Sequence, residues 1–138
     1  MQTNTEIMQA CFAAFQRGDI PAILNLFDEN VEINESGDRK SIPFAGQWKG
    51  QSGSAEFFRI IGETTETLKF APQQVLASGE HAVGLVAYEF RVKATGKVAR
   101  ADFALDFTIR NGKVTRTQAY YDTAAIAAAF AGTAKASA

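Results

Sequence analysis

Alternating apolar and polar residues on either side of Arg110-Asn111-Gly112 commit the last third of the chain to a β-hairpin, with Ala99 to Ile109 and Lys113 to Asp122 as its strands. Charge placement selects the register. A three-residue loop with Gly112 in the left-handed position sets Asp106 opposite Arg116 and Arg100 opposite Asp122. A two-residue Asn-Gly turn sets Arg116 opposite Phe107 and Arg110 opposite Lys113. The three-residue loop is therefore predicted. A one-residue slip would send every side chain to the other face, so this register sorts them. One face holds Ala99, Ala101, Phe103, Leu105, Phe107 and Ile109 with Thr115, Thr117, Ala119 and Tyr121, and is built to be covered. The other holds Arg100, Asp102, Asp106, Arg116, Gln118, Tyr120 and Asp122.

The preceding strand, Ala82 to Lys93, is apolar on both faces and turns at Ala94-Thr95-Gly96. A two-residue turn there would oppose Arg91 to Arg100 and Glu89 to Asp102, whereas a three-residue loop opposes Glu89 to Ala101 and Arg91 to Ala99. Avoiding the like charges places Val83, Leu85, Ala87, Glu89 and Arg91 on the covered face. Val86, Tyr88 and Phe90 then point outward as an apolar patch suited to a homodimer through the outer sheet face.

Upstream, Thr3 and Glu6 have capping-box spacing before the stripe Ile7, Met8, Cys11, Phe12, Phe15, and Gly18 ends that helix. Asp19 caps a second short helix with Pro21 in its first turn. Val31 to Asn34 reads as a short strand followed by polar turn material from Glu35 to Lys40. Ile42 to Gly50 reads as an irregular loop carrying Phe44 and Trp48, Ser54 to Ile61 as a third helix ended by Gly62, and Leu68 to Ala77 as the start of the sheet. Thr123 caps a final alanine-rich helix reaching about Phe130. These elements make one domain over 1–131, with 132–138 as a disordered tail.

A net charge of -1 with scattered cations argues against a nucleic-acid partner. No apolar run reaches membrane-spanning length, and the opening MQTNTEIMQ lacks a basic region and an apolar signal core, so a cytoplasmic protein is expected. One cysteine and one histidine exclude an internal disulfide and a histidine-based metal cluster, and no cofactor is expected.

The stretches FQRGDIPAILNLFDENVEI, PFAGQWKGQSGSAEFFRII, ATGKV and FTIRNGKVTRTQAYYDTAAI resemble the nuclear transport factor two-like superfamily, within it the SnoaL-like polyketide cyclases and ketosteroid-isomerase-related proteins. The resemblance implies an α+β cone: three N-terminal helices packed on a curved antiparallel sheet, a short C-terminal helix, and a pocket between helices and sheet. It implies no single reaction. True ketosteroid isomerases use a tyrosine on the first helix, an aspartate base at the end of the first strand and a protonated aspartic acid on the penultimate strand. Here those positions align with Cys11, Asn34 and Leu105, so the chain is not a true ketosteroid isomerase. The last-strand aspartate of polyketide cyclases and limonene epoxide hydrolases aligns with Ala119.

The remaining polar residues on the covered face define the expected site. Glu89, desolvated among Ala101, Phe103 and Trp48, would be a catalytic base of raised pKa, or else would pair with Arg91 at the rim. Arg91, Asn34, Thr117 and Tyr121 would bind and polarise a ligand, with Phe103, Leu105 and Ala119 lining the wall. Trp48 is either a lid or plain packing, and Cys11 an inert hydrophobe. The function expected is binding of a small hydrophobic molecule, cyclic or polyketide-like, with isomerase- or cyclase-type chemistry. The alternative is a binding or stress-associated module without chemistry.

Overall fold

A computed structural model describes residues 2–132. Helices α1 (Asn4–Gln16) and α2 (Ile20–Leu26) lead into β1 (Phe27–Glu35); β2 (Gly46–Lys49) precedes α3 (Gly50–Thr64), and β3 (Thr65–Ser78), β4 (His81–Val92), β5 (Val98–Arg100), β6 (Phe103–Arg110) and β7 (Lys113–Tyr121) form the meander before α4 (Thr123–Phe130). Locally encoded features sit where they are predicted. Thr3 Oγ1 accepts from the Glu6 amide at 3.1 Å while Glu6 Oε1 accepts from the Thr3 amide at 2.9 Å, and Asp19 Oδ1 accepts from the Ala22 amide at 3.1 Å. At the other end Asp122, not Thr123, caps α4 by accepting from the Ala125 amide. The tail expected at 132–138 lies outside the described residues except for Gly132.

The strands run β2-β1-β7-β6-β4-β3, with β5 extending the β6 side of β4. The sheet is mixed rather than antiparallel, because β1 lies parallel to β7. Hairpins force antiparallel neighbours, but these two strands come from opposite ends of the chain and no short turn joins them. All four helices contribute buried residues to one core against a single face of this sheet.

Both predicted loop lengths are corrected. In the β6–β7 hairpin Arg110 faces Lys113 across a two-residue turn, with Asn111 at φ 52° and Gly112 at φ 76°, the two positive angles of a type I′ turn. The like charges are tolerated because each has its own partner: Arg110 Nε reaches Glu80 Oε1 at 3.0 Å, and Lys113 Nζ donates to the Asn25 carbonyl at 2.6 Å. A bulge at Thr115 then restores the side-chain parity, so Phe103, Leu105 and Phe107 face Tyr121, Ala119 and Thr117 as expected from the sorting of faces. Asp106 meets Gln118 across the strands and His81 Nδ1 at 2.9 Å, not Arg116.

The second loop has larger consequences. Lys93 to Gly96 form a four-residue connection, closed by the Gly96 amide on the Val92 carbonyl and the Val92 amide on the Lys97 carbonyl, both at 2.8 Å. Thr95 fixes it from inside: its buried hydroxyl donates to the Ala129 carbonyl of α4 at 2.7 Å. Relative to a three-residue loop this moves β4 by one residue and turns it over. Glu89 faces Arg100, and the buried side is Ala82, Gly84, Val86, Phe90 and Val92, with Tyr88 largely covered among them. Val86, Tyr88 and Phe90 are therefore core, not an outer patch.

Candidate functional site

Between the inner sheet face and the helices lies a cavity of about 120 Å³. Its wall is aromatic: Phe12 and Phe15 come from α1, Phe57 and Phe58 from α3, Phe70 from β3, Tyr88 from β4, and Phe103 and Phe107 from β6. Polar groups are few. Thr117 and Tyr121 enter from β7, Cys11 from α1, and Glu35 from β1.

Glu35 gets there by strand alternation. Val31 and Ile33 are buried on the inner face, β1 continues to Glu35, and its side chain therefore follows theirs. In these apolar surroundings the charged form loses its hydration, and burial pushes the carboxyl up to about 8, opposed by the hydrogen bond from Tyr121. The Tyr121 hydroxyl lies 3.1 Å from Glu35 Oε1 and 3.0 Å from the Ser36 carbonyl. It has one proton for two acceptors. With Glu35 ionised, Tyr121 donates to the carboxylate. With Glu35 protonated, the acid can donate to the phenol oxygen while the phenol proton turns to Ser36. A proton can thus sit on the carboxyl or leave it without orphaning either group. Tyr88 shares the cavity, and burial, aided by the nearby Glu35 charge and opposed by Thr67, raises its phenol to about 12. Burial likewise pushes the Cys11 thiol up to about 12, away from nucleophilic thiolate. Among the described residues no group of three or more His, Cys, Asp or Glu is arranged to hold a metal.

The structure brings Phe103, Leu105, Thr117, Ala119 and Tyr121 together on the cavity wall. It leaves four expected site residues outside. Glu89, on the outer face, stands between its strand neighbours Lys69 and Arg100, so the slip that turned β4 removes it from the pocket. Arg91 pairs with Glu66 at 3.0 Å, both side chains exposed. Asn34 faces outward, donating to the Thr117 carbonyl at 3.3 Å and accepting from Gln47 at 3.1 Å. Trp48 packs rather than lids: its indole N–H donates to the Phe44 carbonyl at 3.0 Å, and the Arg39 guanidinium lies 3.9 Å over its ring. The sequence reading missed Glu35 and Tyr88. Two signals held them: period-two continuation of Val31 and Ile33 into Glu35, and the opposite-charge pairing of Glu89 with Arg100 that a four-residue loop allows.

Fold and cavity together define a cone-shaped α+β domain with a partly open, mostly apolar pocket rich in aromatic rings. The SnoaL-like domain family matches residues 8–117, and the chain belongs to that family, within the NTF2-like superfamily. It is similar in structure to an NTF2-like protein from Burkholderia xenovorans LB400, at 30% identity over 92% of this chain and 95% of that one, TM-score 0.83. It is also similar to TerC co-crystallized with polyporic acid, at 26% identity over 92% of this chain and 97% of that one, TM-score 0.81. A candidate polyketide cyclase from Pseudomonas putida KT2440 shares the fold at 23% identity, 94% and 98% coverage and TM-score 0.75. No curated protein matches the chain.

Proposed function

We propose that the protein binds a small cyclic or polyketide-like molecule in the cavity and moves a proton on it, in isomerase- or cyclase-type chemistry, with Glu35 as the acid and base. The observation that carries this is the placement of one carboxyl, raised to about 8, in a mostly apolar pocket within 3.1 Å of a phenol. A carboxylate poised near neutrality can take a proton from a carbon beside a carbonyl and return it elsewhere on the molecule. Tyr88 and Tyr121 supply hydroxyls for the enolate oxygen that develops. Likeness to a protein co-crystallized with polyporic acid supports an organic small molecule as the ligand.

Proton exchange into cyclic enones and 1,3-diketones, followed by NMR in deuterated water, tests this. Wild type should accelerate exchange for at least one of them, and Glu35→Gln should lose at least about 100-fold of that acceleration. Equal rates in the two proteins would remove Glu35 from the chemistry. The second reading, a binding module without chemistry, draws on Cys11, Leu105 and Ala119, three apolar wall residues where related enzymes carry acid or base groups. Action in the cytoplasm and homodimerisation through the outer sheet face complete the proposal; no helix among the described residues is long and apolar enough to cross a membrane.

A further inference from the structure

The cavity's composition restricts the ligand beyond its being small. Among the described residues Glu35 is the one carboxyl on the wall, and no Lys, Arg or His lines it. A ligand that enters already ionised would leave water with no cation to meet, a desolvation cost that the neutral hydroxyls of Tyr88 and Tyr121 do not recover, whereas a ligand that enters neutral and passes its proton to Glu35 brings no such entry cost. A ligand ammonium would demand that Glu35 ionise in apolar surroundings, against the burial that favours its acid form. The volume, about 120 Å³, is of the size that admits one benzene-like ring. The donors and acceptors converge on one place, where Glu35 meets Tyr121 beside the Ser36 carbonyl.

We infer that the site selects an uncharged, single-ring molecule bearing one hydrogen-bonding oxygen that meets the Glu35–Tyr121 pair, and that it rejects anionic ring compounds. This inference rests on the cavity being the functional site, but not on any reaction there. Once the ring is stacked among the phenylalanines, its oxygen accepts from the protonated Glu35. The titratable groups facing Glu35 across the cavity are Tyr121 on β7, Tyr88 on β4 and Cys11 on α1, each pushed upward by burial and so uncharged at neutral pH.

Three probes of one shape and different charge test it by calorimetric titration of the whole chain: benzamide, benzoate and benzylamine. At pH 7 benzamide should bind at least tenfold more tightly than either ion. At pH 9, where Glu35 is ionised, the preference for benzamide over benzoate should widen in wild type and stay unchanged in Glu35→Gln. Benzoate or benzylamine binding as tightly as benzamide at pH 7 would overturn the inference, and so would failure of all three to bind. A preference that does not widen at pH 9 would remove Glu35 from the ligand's surroundings and overturn it as well. Because these are equilibrium measurements, a protein that discriminates as stated yet exchanges no proton keeps the ligand class and loses the proposed reaction.

Discussion

Glu35 spends conformational stability to hold its proton. Its carboxyl titrates near 4.5 when unfolded and at about 8 when folded, so between those values the folded protein holds the proton more tightly than the unfolded chain does. Unfolding free energy attributable to this group must then fall as pH rises through that window and level off above it. Glu35→Gln removes the titration while keeping an acceptor for Tyr121. Urea denaturation should show the variant about 1–3 kcal/mol more stable than wild type at pH 9, with the advantage gone at pH 4.5. Tyr121→Phe should act in the opposite direction on the proton. Its hydroxyl stabilises the carboxylate, so its loss should move the ascending limb of the pH–rate profile, where the base ionises, to higher pH. Glu35 was within reach of sequence reasoning, since alternation from Val31 and Ile33 lands on it. A run of polar residues from Glu35 to Lys40 reads as turn, and that hides the last inward position of the strand.

At the scale of elements, what was legible is what the chain encodes within a few residues. Thr3 with Glu6, and Asp19 with Ala22, cap their helices because donor and acceptor lie three residues apart. The loops depended on groups far along the chain. Glu80 and Asn25 relieve the Arg110–Lys113 opposition that argued against an Asn-Gly turn, and Ala129 anchors Thr95 and with it a four-residue loop. The β6–β7 faces survived because Thr115 bulges; β4 had no such compensation, and with it went Glu89 and Arg91. Thr95→Val should therefore cost about 1–3 kcal/mol by stripping a buried hydrogen bond, read as a lowered denaturation midpoint. Gly84 is a second sensitive point. A Cβ there would lie 2.6 Å from Phe12 Cζ and 3.0 Å from Met8 Sδ, so Gly84→Ala must drive the Phe12 ring from its seat on the sheet. Since that ring lines the cavity, the substitution should destabilise the fold by about 1–3 kcal/mol and weaken benzamide binding together.

For the molecule as a whole, turning β4 over changes which residues the outer sheet face offers, without leaving that face bare of apolar surface. Leu76 pairs with Val83 across β3 and β4, and Leu85, Ala104 and Tyr120 follow one another across β4, β6 and β7. Leu76, Leu85 and Tyr120 are 52%, 38% and 57% exposed, a band of large side chains on a face that no helix among the described residues covers. Charged residues flank it: Glu89 and Arg91 toward one end of β4, Asp106 and Arg116 on β6 and β7. An isologous pairing of two such faces would bury the bands against each other and leave the charges at the rim. Light scattering at micromolar concentration should then give twice the chain mass for wild type. Leu85→Glu, which sets a carboxylate in the middle of the band while leaving the cavity on the opposite face untouched, should give the single-chain mass with benzamide binding retained. A wild-type monomer would remove the outer face as an interface, and a Leu85→Glu dimer would move the contact elsewhere.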